Sequence, residues 1–180
     1  MYADTMWTMV DERRTAAVDV FAGLSDEQWD APSLCSGWTV RTVGAHLTLQ
    51  ARPAAATLRM ALGHPGSLNH VIDASSRARA GQWSTTQIVD GLRALVGVHR
   101  PNAFTTVREA LVDATVHLLD VTVPLGLTTT VPPATATAVC DVLLAYRGTR
   151  KAKVFAPPID EDTTSTPVDA ILRLSGRRTA

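Results

Sequence analysis

The chain has 180 residues, with seventeen Lys plus Arg balanced by seventeen Asp plus Glu, 46% hydrophobic residues and 5% aromatic ones. That length holds one full-sized core and leaves two cramped, so a single domain spanning 1–180 is expected. The apolar content excludes global disorder, and zero formal charge with few aromatics excludes the surface of a nucleic-acid binder or a membrane-surface protein.

Helical periodicity dominates, and period-2 strands are scarce. A first helix is predicted over residues 3–21, with Met6, Met9, Val10, Ala17 and Phe21 near one stripe, ended by Gly23. Ser25 to Gln28 reads as a capping box that opens a short turn closed by Pro32. The small-residue segment from Ser33 to Trp38 is a loop, after which Thr39 caps a second helix from Val40 to about Leu62. Its predicted apolar stripe is Val43, Leu47, Ala51, Ala54 and Leu58, and Pro53 kinks or divides it.

The Gly63-His-Pro-Gly66 breaker is followed by a weakly patterned stretch with a short helix near 69–80. Ser84 and Gln87 form a second capping box, opening a helix through Ile88, Leu92, Leu95 and Val96 that stops near Pro101. A third box, Thr106 with Glu109, opens a long helix to Val123. Pro132-Pro133 starts another through Val139, Leu143 and Leu144, and a short final helix spans 167–174. Between these last two lie a basic stretch (Arg147, Arg150, Lys151, Lys153) read as a solvated linker, a Pro-Pro pair and an acidic patch at 160–162. The expected fold is an all-α bundle of at least four long helices.

The helix from 107 to 123 carries the chemistry. On a wheel of about 100° per residue, Leu111, Ala114, Leu118 and Val121 fall on one side and Val112, Val116, Leu119 and Val123 on another. Such a helix is central and largely buried. Arg108, Thr115 and Thr122 recur every seven residues and read as a narrow solvent seam. A second polar line holds Glu109, Asp113, His117 and Asp120. Buried charges are costly unless paired, hydrogen-bonded or bound to metal. Asp113 and His117, four apart, share a face and make either a two-ligand clip for a divalent cation such as zinc or a paired couple in the core. Glu109 is the capping-box partner, and Asp120 is placed to accept the second ring N–H of His117. The third ligand candidate is His46, on the flank of the second helix's stripe, with Gln50 one turn on as a possible ligand contact. His64, His70 and His99 fall in a turn, a poorly patterned stretch and a helix end.

Phosphate loops, nucleophile elbows and paired-histidine zinc motifs are absent from the sequence. Cys35 and Cys140 make no disulfide framework, and Cys35 reads as packing in a small-residue loop. The N-terminus has no signal-peptide pattern, and no apolar run reaches the about 18 residues that span a bilayer. A cytoplasmic protein with reduced thiols is expected.

The run from Pro32 through Cys35-Ser-Gly-Trp-Thr-Val-Arg to His46-Leu, with Asp113-x3-His117-x2-Asp120 and the ending Ile171-Leu-Arg-Leu-Ser-Gly-Arg177, resembles a known signature. It is similar to the DinB-like superfamily and, within it, the mycothiol-dependent maleylpyruvate isomerase metal-binding family of actinobacteria. The resemblance implies a DinB-like four-helix bundle with additional short C-terminal helices and a divalent metal, zinc, held by His46, Asp113 and His117. Asp113 stands where that family usually has glutamate, one methylene longer, and no counterpart is expected of the C-terminal domain carried by the isomerases that name the family. The chain contains only two lysines among its cations, which suits a GC-rich actinobacterial source. The expected activity is activation of a low-molecular-weight thiol such as mycothiol for isomerisation or S-transfer to a small electrophile. Alternatives are a metal-dependent hydrolase using water and a non-catalytic metal-binding stress-response protein. The expected partners are the thiol and an electrophilic substrate, with no nucleic acid, no membrane, and homodimerisation left open.

Overall fold

The computed structural model describes residues 2–103, 105–146 and 166–177. Nine helices are present among them and no strand: α1 (Tyr2–Ala22), α2 (Asp26–Asp30), α3 (Val40–Leu47), α4 (Ala54–Gly63), α5 (Leu68–Gln82), α6 (Thr85–Arg93), α7 (Val107–Thr122), α8 (Pro133–Tyr146) and α9 (Pro167–Leu174). None of the described helices is long and apolar enough to cross a membrane. The predicted basic stretch from Arg147 to Lys153, the Pro-Pro pair and the acidic patch at 160–162 lie outside the described residues.

Helix α7 is the axis, as its near-continuous apolar circumference requires, and it packs against α1, α3, α8 and α9. Its apolar circumference enters two cores, and Leu111 joins the Val112, Val116 and Leu119 side and not the Leu118 and Val121 side expected of it. Leu111, Val112, Val116 and Leu119 meet Met6, Val10, Val139, Leu143 and Ile171 in one. Leu118 and Val121 meet Phe21, Trp29, Val43 and Ile88 in the other. The capping boxes at Ser25, Ser84 and Thr106 all form, and Thr166 with Asp169 adds one at the start of α9.

Four expectations change. The second helix is divided ahead of Pro53, one of the two outcomes expected there, but the break begins earlier than the proline. The helix ends at Leu47 and restarts at Ala54, and the link turns at Ala51, whose φ of 56° is left-handed. Pro53 disfavours helical geometry in the residue before it, so the chain leaves the helix ahead of the proline. The resumed helix has no buried residue: Leu58 is exposed, and Leu62 is 72% exposed, so neither joins the core stripe. The short helix near 69–80 is a full α5 of 15 residues, capped by Ser67 and packed on α3. The helix at Ser84 stops at Arg93, and Leu95 and Val96 lie in the turns before Gly97, at φ 80°.

The fourth change concerns the predicted solvent seam on α7. Arg108 is exposed, but Thr115 and Thr122 are buried. Thr122 returns its hydroxyl proton to the Leu118 carbonyl at 3.0 Å, so its polarity is met inside the helix.

Helix α3 lies close to its neighbours because Gly44 has no side chain. A Cβ there would stand 2.8 Å from Phe21 Cε1 and 3.1 Å from Ile88 Cγ2, and both of those side chains are fully buried. Helix propensity favours alanine by about 1 kcal/mol, whereas overpacking a closed core costs about 1–3 kcal/mol. Gly44→Ala is therefore expected to lower the urea midpoint, and a raised midpoint would show that Phe21 is free to retreat.

Candidate metal centre

Two helices and one loop assemble the site. Asp113 and His117 come from adjacent turns of α7 and His46 from the last turn of α3. The loop from Pro32 to Thr39 is closed by a lone antiparallel bridge between those two residues. It is pinned to α7 by the Leu34 amide, which donates to the Asp120 carbonyl at 3.0 Å. This placement sets Cys35 and Trp38 beside the histidines.

The ring protons of both histidines are settled by their neighbours. Ser76 gives its only hydroxyl proton to the Ile72 carbonyl at 2.7 Å, so its oxygen accepts from His46 Nδ1 at 3.2 Å. His117 Nδ1 donates to Asp120 Oδ2 at 2.8 Å. Each ring therefore turns Nε2 towards Asp113 Oδ1, at 3.3 Å from His46 and 3.2 Å from His117. Asp113 Oδ2 is held separately by the Gln50 side-chain amide at 2.5 Å. Gln50 thus contacts a candidate ligand residue from the interior.

With neutral rings, two nitrogen lone pairs and a carboxylate oxygen converge with nothing positive between them. Either a proton or a cation must resolve this. In the metal-free chain the proton does so. Burial opposes charge on His117, but hydrogen bonding and charge from Asp113, then Asp120 and Cys35, raise its pKa well above the ordinary value. Burial likewise opposes ionised Asp113, and the His46 charge, then the contacts with His117, outweigh it and hold Asp113 well below the carboxylate range. The donor set also suits a divalent metal. Tetrahedral bonds of about 2.0–2.1 Å put neighbouring ligand atoms about 3.3 Å apart, and the two carboxylate–imidazole separations match that edge. The three ligand atoms lie within 4.8 Å of one another.

A second convergence, Cys35 with His117 and Asp120, has donor atoms of metal-binding type. It is already neutralised. Arg177 grips Asp120 through both oxygens, Nε to Oδ1 at 2.9 Å and Nη2 to Oδ2 at 2.8 Å. The Cys35 thiol donates to the same Oδ2 at 3.0 Å. A guanidinium on a carboxylate that is 0% exposed repels a cation, so the positions around Asp113 are the better metal centre.

Trp38 forms the wall. Its ring centroid lies 5.3 Å from His46 and 6.2 Å from His117, while its indole N–H donates to Asp73 at 2.6 Å. Arg77 braces Asp73 at 2.8 Å and the Gly37 carbonyl at 2.9 Å. Asp113 keeps 21% of its side chain exposed, so the centre is within reach of solvent.

Sequence reasoning had Trp38 and Arg177 only inside quoted motifs, without roles, and read Cys35 as packing. Ser76 was missed because its helix was weakly patterned.

Residues 10–95 match the family model of the mycothiol maleylpyruvate isomerase N-terminal domain. That domain is DinB-like. His46, Trp38, Gln50 and Ser76 lie inside the matched stretch, whereas Asp113, His117, Asp120 and Arg177 follow it. No curated protein and no solved structure matches the chain.

The coupled charges set a pH dependence for the metal-free protein. The stabilisation from protonated His117 is fully present below its ordinary pKa of about 6.5 and is lost as pH rises through the raised folded value. That from ionised Asp113 is present above about 3.8 and is lost as pH falls through its depressed value. Melting of chelator-treated protein should thus peak between these limits and decline on the alkaline side. Added zinc should remove the alkaline decline, and an unchanged slope would count against His117 as a ligand.

Proposed function

We propose that the protein is a zinc enzyme in which His46, Asp113 and His117 hold the ion, and that it activates a low-molecular-weight thiol such as mycothiol for isomerisation of, or S-transfer to, a small electrophile. The observation that carries this reading is the pair of imidazole Nε2 atoms at 3.3 and 3.2 Å from one carboxylate oxygen. A metal there supplies a Lewis-acid position at which a thiol loses its proton at neutral pH.

The chain's own residues prepare that position. Three protein ligands are the complement of a catalytic zinc site and leave room for a small molecule, unlike a closed structural site. Ser76 and Asp120 orient the two rings with Nε2 inward. Gln50 holds the other oxygen of Asp113 and so keeps the carboxylate turned. Trp38, fixed through Asp73, gives the site an apolar wall that limits water. The match to a mycothiol-related domain supports a thiol as cosubstrate. We place this chemistry in the cytoplasm, where reduced thiols are kept.

The test is turnover of a chlorodinitrobenzene-type electrophile by zinc-reconstituted protein, with mycothiol present or withheld. Loss of the electrophile should require both thiol and metal. Turnover that persists with every thiol removed would replace this reading with a hydrolase, and inactivity across an electrophile panel would leave a metal-binding protein without catalysis.

A further inference from the structure

Equal charge totals conceal a segregated distribution. Residues 31–89, which include α3, α4 and α5, contain five arginines and a single acid, Asp73. Two of the five are answered: Arg41 by Asp30 at 3.7 Å and Arg77 by Asp73 at 2.8 Å. Arg59 lies exposed on α4, where its Nε donates to the Ala55 carbonyl at 3.5 Å. Arg52 and Arg79 remain, and neither pairs with a carboxylate among the described residues.

Both belong to the turn that follows α3. Arg79, three residues beyond Ser76 on α5, donates through Nη1 to Thr48 Oγ1 at 3.4 Å. Its guanidinium carbon sits 3.9 Å from the centroid of the Trp83 ring, and a guanidinium lying over a ring keeps its edge N–H groups for an acceptor. Arg52 is anchored by its backbone amide, which donates to Asn102 Oδ1 at 2.9 Å, while Arg100 Nε clamps the neighbouring Ala51 carbonyl at 3.0 Å. The Arg52 side chain has no hydrogen-bond acceptor among the described residues. Both side chains are partly exposed, and neither has a nitrogen sealed away without a partner. The two charges oppose each other: burial and then Arg52 lower the Arg79 pKa, and burial lowers that of Arg52. Guanidinium groups stay charged in proteins all the same.

We propose that Arg52 and Arg79 form a binding site for a dianionic acid group, a phosphate monoester in class. Two neighbouring cations without an acid between them are answered in full only by two negative charges. A carboxylate supplies one, whereas a phosphate monoester carries about −1.5 to −2 at pH 7 and offers three acceptor oxygens. Planar arginine forks match that geometry through paired charge-assisted hydrogen bonds. The partial burial of both side chains weakens solvent screening of the attraction. Arg52 and Arg79 are not among the proposed zinc ligands, so the site stands whether or not the metal reading does.

The experiment is calorimetric titration of the full chelator-treated chain with phenyl phosphate, benzoate or benzamide at constant ionic strength. Phenyl phosphate should bind one to one and roughly 10-fold tighter than benzoate, and benzamide should give no binding heat. Arg52→Met should weaken phenyl phosphate by about 10-fold or more, and Arg79→Lys, which keeps the charge but loses the fork, by less. Equal affinity for phenyl phosphate and benzoate would overturn the proposal. So would unchanged binding in Arg52→Met, which would move the anion to the histidines of the metal centre. Should Arg52→Met fail to fold, phenylglyoxal labelling of the wild-type chain, read by mass spectrometry, decides instead. Phenyl phosphate should slow modification of Arg52 and Arg79 but not of exposed Arg59, and equal rates with and without it would overturn the site.

Discussion

Wild-type protein is expected to carry about one equivalent of zinc, while His46→Ala, Asp113→Ala and His117→Ala each retain less than about a tenth of an equivalent after dialysis. Asp113 should be the most damaging of the three, because its Oδ1 faces both imidazoles. The Asp120→Asn variant tests a separate point. All three ligand atoms remain, but the acceptor that fixes the His117 tautomer is weakened, so affinity should fall by roughly 10- to 100-fold with occupancy recoverable at high zinc. Metal analysis by mass spectrometry, with circular dichroism to confirm the helices, reads each outcome. Full occupancy in His46→Ala would remove α3 from the metal centre and reduce the site to a two-residue clip on α7.

Arg177→Met is expected to cost about 3–5 kcal/mol of folding stability, the range for orphaning a buried ionic partner. Asp120 has no exposed surface, and Arg177 supplies hydrogen bonds to both of its oxygens. Burial alone would hold Asp120 protonated. The contacts with His117 and Arg177 instead push its pKa far below the ordinary carboxylate value, and burial opposes the Arg177 charge while Asp120 holds its pKa high. Removing one partner leaves the other charged and desolvated, so Asp120→Asn combined with Arg177→Met should recover most of the loss. Chemical denaturation of the two single variants and the double variant measures the coupling. A loss below about 1 kcal/mol in Arg177→Met would mean the pair is solvated and contributes as little as a surface bridge. Helix α9, which precedes Arg177, would then dock through its apolar contacts, Ile171 and Leu172 with Val168 and Leu174 beside them.

The two experiments separate what the site holds from what holds the site. Asp120 takes part in both: it accepts from His117 on the metal side and from Arg177 on the other, with the Cys35 thiol between. A change at Arg177 should therefore reach metal affinity through the His117 tautomer without touching a ligand atom.

Much of the architecture was legible because it is local. The apolar circumference of α7 placed it at the centre, and three capping boxes marked where helices begin, since a cap and its partner lie three residues apart. The row of Asp113, His117 and Asp120 was visible for the same reason. Misreadings came where polarity was taken at face value. Thr115 and Thr122 looked solvent-facing, yet both are buried: Thr122 satisfies its hydroxyl on the preceding turn, whereas the Thr115 hydroxyl is buried without a partner. Pro53 was expected to kink or divide its helix, and the helix is divided, with Pro53 at the start of the second piece; only the early end at Leu47 was not legible.

The sequence by itself determined that the chain is helical, that α7 is buried, and that a carboxylate and an imidazole share one of its faces, because these depend on periods of three to four residues. Equal totals of acidic and basic residues do not show where the acids lie. Only the tertiary structure decided that His46 Nε2 meets Asp113, that Ser76 orients it from α5, and that Arg177, 57 residues beyond Asp120, neutralises that carboxylate. Those contacts depend on how whole helices pack. The spatial neighbour of a buried charge is set by the global fold, and nothing in the local pattern encodes it.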